Sequence, residues 1–398
     1  MSRRPRVLVA GGSLGGLTAA HVLGDLGCDV TTLERSPEPL TGRGAGIVLH
    51  PATVRWWRER DVRPLEEMSA AMRRLRYIGA DGAIAHEQPC RYRVSSFDAL
   101  YRDLSGRLDP ARERLGCAVE GFEIDDDGVT VALEGGGSER CDLLVGADGI
   151  GSRARRTLLP AVEPVYAGYV AWRGTVGEQD LGARARETLL GAIGYHIMDR
   201  SHFLTYPIPG ADGSAEEGRR LTNWLWYRNL AEGPDLDALM TDRGGVRRPV
   251  SLAPGTVARA ALDDLRAASA AHLPPPLAEL VEATPEPFLQ VVFDIEVPRM
   301  AFGRACLIGD AAFALRPHAA VGSAKAAEDA WTLGAAMRDA GFDVPRALAA
   351  WEPGQLALGR SALARTRRAG ERAQHTNEWR VGEALPWGLY ATGDSSLD

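Results

Sequence analysis

The chain has 398 residues, of which 45% are hydrophobic and 25% are charged, and its formal net charge at pH 7 is −7. This composition is typical of a globular protein larger than one small domain, and the acidic balance argues against a nucleic-acid partner. Five cysteines without a C-x-x-C pair argue against a disulfide framework or a zinc site, so we expect reduced buried thiols, no bound metal and a cytoplasmic location.

The first elements are predicted to be a strand, a glycine-rich turn, a helix and a second strand. Apolar residues 6–10 predict the first strand, residues 11–16 form the turn, and residues 28–33 predict the second strand. This order is typical of a dinucleotide-binding unit, because glycines let the backbone approach a pyrophosphate and the helix N-terminus binds that anion. The candidate nucleotide-binding residues here are Gly11, Ser13, Leu14, Gly15, Gly16, Glu34 and Arg35.

Two details of this unit restrict the nucleotide. Ser13 stands where the G-x-G-x-x-G pattern has its middle glycine. Glu34 follows the second strand, where a carboxylate accepts hydrogen bonds from an adenosine ribose and repels the 2′-phosphate of NADP.

The apolar run from Val7 to Leu23 resembles a signal peptide, but glycines interrupt it. No other stretch approaches the roughly 20 apolar residues of a membrane span, so we expect no membrane partner.

Two further motifs lie far along the chain. Residues 118–124, 129–133 and 141–145 predict an antiparallel meander that leads into Asp148-Gly149. Residues 305–308 predict a buried strand that leads into Gly309-Asp310. A helix is predicted over residues 323–338, a second helix over 354–376, and a loose tail from Thr392.

These three motifs, in this order, resemble those of the flavoprotein aromatic hydroxylases with the p-hydroxybenzoate hydroxylase fold. Residues 166–174, 231–236 and 316–320 are most similar to the members that act on hydroxypyridines. The resemblance implies an α/β fold in which a Rossmann-like FAD-binding domain is interleaved with a β-sheet substrate domain. The expected segments are 1–75, 97–165 and 290–353 for the FAD-binding domain, 76–96 and 166–289 for the substrate domain, and 354–398 for a C-terminal helix and tail.

The resemblance also implies the cofactors. It implies bound FAD, with NADH or NADPH as a transient co-substrate, and hydroxylation by O2 through a flavin C4a-hydroperoxide. Asp310 is expected to bind the ribityl chain of FAD, and Asp148 to support the FAD and nicotinamide sites. Further positions that the resemblance assigns to FAD are Arg43, Val48, Val119, Gly309, Ala311, Pro317, Gly322, Ser323 and Ala324. The chain departs from the family pattern at Ser13, Phe97, Ala320 and Ala324, and we expect these departures to reshape the FAD contacts.

The substrate side should present a histidine or tyrosine, because a ring hydroxyl makes its ring more nucleophilic when it loses its proton. His318, in the loop expected beside the flavin, is the first candidate for this polar pocket residue. The alternative is that it stabilises the loop through hydrogen bonds. Tyr206, at the end of a strand predicted over 203–208, is second, with core packing as the alternative. Tyr227, His196 and Trp226 are further candidates for substrate contact.

Lys325 is the only lysine of the chain, and it falls in the first turn of a predicted helix. The helix dipole disfavours a cation there. We therefore hypothesise that Lys325 acts in catalysis by supporting negative charge on the flavin or the substrate. The alternative is a surface pair with Glu328 or Asp329.

The function that follows is FAD-dependent hydroxylation of a small, electron-rich aromatic or heteroaromatic ring. A small aromatic substrate and O2 are the expected partners, and a homodimer is left open. One alternative is a flavin halogenase or reductase, for which the W-x-W pattern of Trp224 and Trp226 is a superficial indication. The other is a protein that binds flavin or a ligand without catalysis.

Overall fold

The computed structural model describes residues 4–42 and 46–397, which form a parallel sheet, a large mixed sheet and a small antiparallel sheet. In chain order the strands are β1 (Arg6–Ala10), β2 (Asp29–Leu33), β3 (Gly46–Val48), β4 (Ala70–Ile78), β5 (Ile84–Ser96), β6 (Glu113–Arg114), β7 (Val119–Ile124), β8 (Val129–Leu133), β9 (Ser138–Cys141), β10 (Leu143–Gly146), β11 (Val165–Gly177), β12 (Ile193–Met198), β13 (Ser201–Ile208), β14 (Leu221–Asn229), β15 (Ser251–Leu252), β16 (Phe288–Asp294), β17 (Ala301–Phe302) and β18 (Ala305–Leu307). The α-helices are α1 (Leu14–Asp25), α2 (Pro51–Arg60), α3 (Phe97–Ser105), α4 (Arg153–Leu158), α5 (Ala183–Leu189), α6 (Pro234–Leu239), α7 (Arg259–His272), α8 (Pro275–Ala283), α9 (Gly322–Asp339) and α10 (Val344–Gln374). Short 3-10 helices span Leu65–Glu67, Pro110–Arg112, Glu178–Asp180, Gly309–Ala311 and Pro317–Ala319.

The six-stranded sheet has the order β17-β18-β10-β1-β2-β6, and its neighbours pair in parallel except for β17 with β18. Val9 and Val145 lie in one core with buried residues of α1 and α9. Leu8 and Leu144 lie on the other face, in a core with buried residues of β7 and β8. A parallel sheet that is covered on both faces needs continuous apolar strands, which explains the unbroken apolar runs in β1 and β10.

The nine-stranded sheet has the order β15-β16-β11-β14-β13-β12-β4-β5-β3 and joins segments that are distant in sequence. Three of its strands, β4, β11 and β16, cross the segment boundaries expected from the sequence, at 75/76, 165/166 and 289/290. β3, expected in the FAD-binding domain, pairs antiparallel with β5, and β16 extends the large sheet to Asp294. β13 and β14 lie near the middle of this sheet and present alternate side chains to its two faces.

Several predicted strands are confirmed, including β1 and β8, but the strand predicted over 141–145 is divided. Residues 138–141 pair with β8, whereas residues 143–146 join the parallel sheet. The chain changes sheets at Asp142, whose carboxylate accepts a hydrogen bond of 2.7 Å from the backbone N–H of Arg6. This crossing connects the three-stranded sheet to the six-stranded sheet.

The C-terminal third departs from the prediction in two ways. The long helix α10 begins at Val344, ahead of the predicted start at 354, because the Asp343 side chain caps its first turn. The prediction of a loose tail from Thr392 is wrong. Asp394 Oδ1 lies 3.1 Å from His50 Nε2, and Leu397 is buried, so these contacts dock the tail on the body of the protein.

Two expectations from composition can be compared with the fold. Cys28, Cys141 and Cys306 are buried thiols, whereas Cys90 and Cys117 are only half-buried. Within residues 4–42 and 46–397, no helix combines the length and the apolar character required to cross a bilayer.

Candidate active site

The carboxyl ends of four parallel strands bring the predicted cofactor motifs to one edge of the six-stranded sheet. Gly11 follows β1, Glu34 follows β2, Asp148 lies just beyond β10, and Gly309 lies just beyond β18. The N–H of Gly11 donates to the Leu33 carbonyl at 2.8 Å, which ties the first two turns together. Ligands of open parallel sheets bind at this edge, so motifs that are far apart in sequence share one site.

The first glycine turn is built by close backbone approaches. Gly11 has φ +112°, and a Cβ there would lie 2.3 Å from the Ala147 carbonyl oxygen. A Cβ at Gly16 would lie 1.9 Å from the Gly11 carbonyl oxygen. Glu34 Oε2 accepts a hydrogen bond of 2.9 Å from the N–H of Gly12. The glycines are therefore required by the turn itself, and Glu34 is held against it.

The N-terminus of α1 opens onto a cavity of about 450 Å³. Ser13, Leu14 and Gly15 line that cavity, and the Ser13 side chain makes no capping hydrogen bond. The first backbone N–H groups of an α-helix have no partner within the helix and carry partial positive charge. This end of the cavity therefore suits a pyrophosphate.

The third motif places a carboxylate on the same cavity. Gly309 has φ +56°, a left-handed conformation that favours glycine, and Asp310 lines the cavity beside it. Burial raises the pKa of Asp310 to about 6, although nearby Arg155 acts in the opposite direction. The Arg155 guanidinium donates to the Ala311 carbonyl at 3.1 Å and so braces the turn from behind.

The second motif acts through its backbone and through a helix cap. Asp148 Oδ2 accepts hydrogen bonds from the N–H groups of Arg153 at 2.7 Å and Ala154 at 3.1 Å, so it caps α4. The neighbours of Asp148, namely Ala147 and Gly149, line the cavity. Asp148 therefore organises this wall of the cavity, while the backbone on either side of it forms the surface.

A second helix N-terminus faces the cavity at α9. Val321, Gly322 and Ser323 line it, and no side chain caps the helix. Ala324 is fully buried behind them. The amides of this turn are placed to stabilise negative charge on a bound group.

The structure separates the predicted cofactor residues into two groups. Those that line the cavity are Ser13, Leu14, Gly15, Val48, Gly309, Asp310, Pro317, Gly322 and Ser323. Those that lie behind or beside it are Gly11, Gly16, Glu34, Arg35, Val119, Asp148, Ala311 and Ala324. Val119 is buried in the core below the small antiparallel sheet, and Arg43 lies outside the described residues.

This arrangement fits FAD. One continuous cavity connects the amide-lined turn at α1, the Asp310 carboxylate and the amide-lined turn at α9. A Cβ at Gly149 or at Gly322 would meet nothing within 4 Å, so the groove is open along both turns. The order of the three features suits the pyrophosphate, the ribityl chain and the electron-rich edge of the flavin ring.

An aromatic wall closes the opposite end of the cavity. His202 and Tyr206 reach it from β13, Tyr227 from β14, and His318 from the 3-10 helix at 317–319. The His202 and Tyr227 rings stack with centroids 4.6 Å apart, and the His318 ring centroid lies 5.2 Å from each of them. Because β13 alternates its side chains, His202 and Tyr206 share one face of the sheet.

The polar groups of this wall are neutral at pH 7. Burial lowers the pKa of His318 to about 3, with Arg316 contributing, and it lowers the pKa of His202 well below 6.5. Burial raises the pKa of Tyr206 to about 12 and raises that of Tyr169 further. His318 Nε2 lies 2.8 Å from the Tyr169 hydroxyl, a hydrogen bond that orients the imidazole. His318 is therefore a weak base in this pocket, suited to hydrogen bonding.

The C-terminal segment supplies the last part of the wall. Trp379 lies edge-on to Tyr195 and His202, with ring centroids 4.9 Å and 5.0 Å away, and Trp387 packs edge-on to Tyr92 at 4.7 Å. Both tryptophans line the cavity. Two large aromatic side chains that follow α10 therefore limit the size of the ring that can bind.

Two substrate candidates are wrong because their strands turn them away from the cavity. His196 Nδ1 lies 2.8 Å from the Ile78 carbonyl oxygen, and His196 does not line the cavity. The Trp226 side chain is buried in the core on the opposite face of the sheet from Leu225, which does line the cavity. Trp224 shares that remote core, so the W-x-W pattern has no place at the site.

The catalytic assignment of Lys325 is also wrong. Its side chain is 1% exposed and does not line the cavity. It forms an ion pair with Asp329, as the alternative proposed, but the pair is buried within the protein. The cavity therefore has no lysine among its described lining residues.

Sequence reasoning missed several residues of the site. Arg173 lines the cavity, and its Nη1 donates to Gln290 Oε1 at 2.7 Å. His202 could have been found from the alternation of β13, since it lies four residues before Tyr206 on the same face. No local sequence pattern indicates that Trp379 belongs to the site, because its place in the wall depends on contacts with β12 and β13.

Comparisons with known proteins agree with this geometry. Residues 4–178 match the FAD binding domain family, and residues 166–294 match the FAD binding domain-like family. The chain is 37% identical to 2,6-dihydroxypyridine 3-monooxygenase of Paenarthrobacter nicotinovorans, over 98% of each chain. It is 27% identical to 6-hydroxynicotinate 3-monooxygenase of Bordetella bronchiseptica, over 97% of this chain and 95% of that one.

A solved structure shows the same fold. The structure of 2,6-dihydroxypyridine-3-hydroxylase from Arthrobacter nicotinovorans superposes with a TM-score of 0.92 at 36% identity, covering 98% of each chain. The relationship to hydroxypyridine hydroxylases predicted from residues 166–174, 231–236 and 316–320 is confirmed, as is the α/β fold of this enzyme class.

Proposed function

Because the chain belongs to the FAD-dependent aromatic-ring monooxygenases, we propose that it hydroxylates a dihydroxypyridine-like ring, with NADH or NADPH as the reductant and O2 as the oxygen source. The main support is a single cavity that joins the FAD-binding turns to a neutral aromatic wall. In this reaction the nicotinamide is oxidised, one oxygen atom enters the ring and the other leaves as water. When bound, FAD supplies the redox chemistry of that transfer.

The residues of the chain bind and orient the ring. Tyr206, His202 and His318 offer neutral hydrogen-bonding groups to a hydroxylated ring, and the Tyr169 hydroxyl holds the His318 imidazole in place. A ring that is bound in the correct orientation needs no further loss of translational and rotational freedom before oxygen transfer, and this lowers the activation barrier of that step. Tyr227 offers a ring face on the same wall.

The wall also excludes water. Trp379 and Trp387 cover one side of the cavity, and Leu225 and Leu204 add apolar surface from the large sheet. A dry pocket prevents loss of activated oxygen to solvent and strengthens the hydrogen bonds that orient the ring.

One arginine of the cavity, Arg173, has no carboxylate partner among the described residues. Two arginines are found among the described lining residues of the cavity. Arg372 Nη2 lies 2.8 Å from Glu383 Oε2, whereas Arg173 donates to the neutral side chain of Gln290 at 2.7 Å, and its buried Nε has no hydrogen-bond partner among the described residues. Since the lining histidines are neutral, Arg173 is the group that would pair with the negative charge of a deprotonated ring hydroxyl or of a ring carboxylate.

The test is oxidation of NADH or NADPH by the purified, FAD-loaded protein with a panel of rings. We expect 2,6-dihydroxypyridine to stimulate oxidation and O2 uptake and to give a product heavier by one oxygen atom. We expect 6-hydroxynicotinate, the ring named for a relative of lower identity, to stimulate less than 2,6-dihydroxypyridine. No stimulation by any hydroxypyridine would refute the proposed function, and preference for 6-hydroxynicotinate would refute the proposed dihydroxypyridine-like ring.

A further inference from the structure

The Lys325–Asp329 ion pair is buried in the first turns of α9 and is not used by the site described above. The two side chains are 1% and 0% exposed, and Lys325 Nζ contacts Asp329 Oδ1. The ammonium also lies 5.4 Å from the centroid of the Phe313 ring. A buried ion pair costs desolvation that its Coulombic attraction does not always repay, so stability alone is a weak reason for it.

The second oxygen of Asp329 reaches the FAD-binding edge. Asp329 Oδ2 accepts a hydrogen bond of 2.9 Å from the N–H of Gly309. Gly309 is the left-handed residue whose conformation places the adjacent Asp310 on the cavity. Lys325 thus orients Asp329, and Asp329 holds the backbone one residue before Asp310.

The same helix contacts the first glycine turn. The Cβ of Ala326 lies 3.0 Å from the position a Cβ would take at Gly309, and 3.0 Å from that position at Gly15. Gly15 lines the pyrophosphate end of the cavity, and Gly322 of the same helix lines the other end. α9 is therefore packed against two cofactor turns and supplies a third.

We propose that Lys325 and Asp329 are positioning residues for FAD, which lock the Gly309–Asp310 turn against α9 through the Asp329 carboxylate. The pair touches neither the flavin nor the ring. Its effect reaches the cofactor through one hydrogen bond, from the Gly309 N–H to Asp329. The inference depends on FAD binding alone, so it stands or falls independently of which ring is hydroxylated.

Two double variants separate positioning from general stability. Lys325→Met with Asp329→Asn removes both charges but keeps an oxygen acceptor for the Gly309 N–H. Lys325→Met with Asp329→Leu removes the charges and the acceptor. Replacing a buried ion pair by apolar residues is often neutral for stability, so we expect both proteins to fold.

The measurement is the FAD dissociation constant of the flavin-stripped full-length protein, from flavin fluorescence, together with its thermal unfolding. We expect the Leu variant to bind FAD at least tenfold more weakly, and the Asn variant to stay within about threefold of wild type. The matched control is the buried pair Arg220–Glu178, whose Nε and Oε1 lie 2.9 Å apart and which does not line the cavity. Arg220→Met with Glu178→Leu should leave FAD binding unchanged.

Equal FAD affinity in the Leu variant and the wild type would overturn the proposal, and so would equal losses in the Asn and Leu variants. If the Leu variant does not fold, Lys325→Met with Asp329→Ala provides the second test, because it also removes the acceptor and leaves no unpaired buried charge. We expect it to speed amide hydrogen exchange in a peptide covering Gly309 and Asp310 in the flavin-free protein, and to weaken FAD binding. Unchanged exchange and unchanged affinity would refute the role.

Discussion

The hydroxyl of Tyr169 lies 2.8 Å from Nε2 of His318, and both side chains are buried beneath the aromatic wall. The partners come from β11 and from the 3-10 helix at 317–319, 149 residues apart in the chain. This bond fixes the orientation of an imidazole that faces the proposed ring site.

Removing that hydrogen bond should impair catalysis more than cofactor binding. We expect Tyr169→Phe to lower kcat/KM for the ring about fivefold to tenfold, because one hydrogen bond contributes about 1 kcal/mol. The FAD dissociation constant should not change. Tyr166→Phe is the control, since Tyr166 lies on the same strand and donates to the Leu230 carbonyl at 2.9 Å outside the cavity. Equal kcat/KM in the two variants would contradict the orienting role.

The lowered pKa of His318 predicts a pH-dependent stability. Its pKa falls from about 6.5 in the unfolded chain to about 3 in the fold, so its contribution to stability is present above pH 6.5 and is lost as pH falls towards 3. We expect His318→Gln to make the stability curve shallower in that window, by up to about 1.4 kcal/mol per pH unit. Denaturant unfolding at intervals between pH 7 and pH 4 measures it. Parallel curves for the variant and wild type would show that His318 is not buried in its neutral form.

Gly16, at the end of the glycine-rich turn, should tolerate no side chain. Gly16→Ala would place a Cβ 1.9 Å from the Gly11 carbonyl oxygen, so we expect at least tenfold weaker FAD binding and a loss of about 1–3 kcal/mol of unfolding free energy. Gly24→Ala in the same helix meets nothing within 4 Å, and it should stabilise the protein by about 0.5–1 kcal/mol with FAD binding unchanged. Fluorescence titration and denaturant unfolding test both. A Gly16→Ala protein that binds FAD normally would refute the described turn.

Asp310 should lower the stability of the flavin-free protein and strengthen FAD binding. Because burial raises its pKa to about 6, its protonated carboxyl group favours the folded state below about pH 4, and this contribution is lost as pH rises through 6. We expect Asp310→Asn to stabilise the flavin-free protein by about 1–2 kcal/mol at pH 8 and to have no such effect at pH 4. FAD should bind about 10-fold to 100-fold more weakly, since hydrogen bonds to a charged group are lost. Stabilisation that is the same at both pH values would contradict this assignment.

Trp379 should control ring binding from the C-terminal segment. We expect Trp379→Ala to raise KM for the ring about tenfold, because its edge-on contacts with Tyr195 and His202 are lost and the wall opens. Tyr390→Ala is the matched control, since Tyr390 follows in the same segment, is 54% exposed and does not line the cavity. An unchanged KM in the Trp379 variant would remove the C-terminal segment from the substrate site.

Much of the cofactor site could be predicted from local sequence. The turn at residues 11–16 and the Gly309-Asp310 turn need glycine for conformational reasons that hold in any protein. Their position after apolar strands then predicts the edge of a parallel sheet. The family membership read from these motifs is confirmed, and with it the FAD-dependent hydroxylation of an aromatic ring.

The substrate side was harder to predict, because one-residue changes in strand register decide which face a side chain occupies. Tyr206 and Tyr227 line the cavity, whereas His196 points away from it. Lys325 was misjudged for another reason. Its helix position was correct, but only the packed fold shows that its charge is buried against Asp329, whose carboxylate also accepts a hydrogen bond from Gly309.

The sequence by itself determined the features that depend on backbone shape, namely glycine turns, helix N-termini and one carboxylate, which suit a dinucleotide, and the family resemblance implied that this dinucleotide is FAD. The tertiary structure alone decided the ring pocket, because His202, Tyr169, His318 and Trp379 come from four separate segments. Contacts between distant segments depend on strand pairing and on how α10 returns the chain to the large sheet. No local pattern contains that information, since it arises only when the sheets and helices pack together.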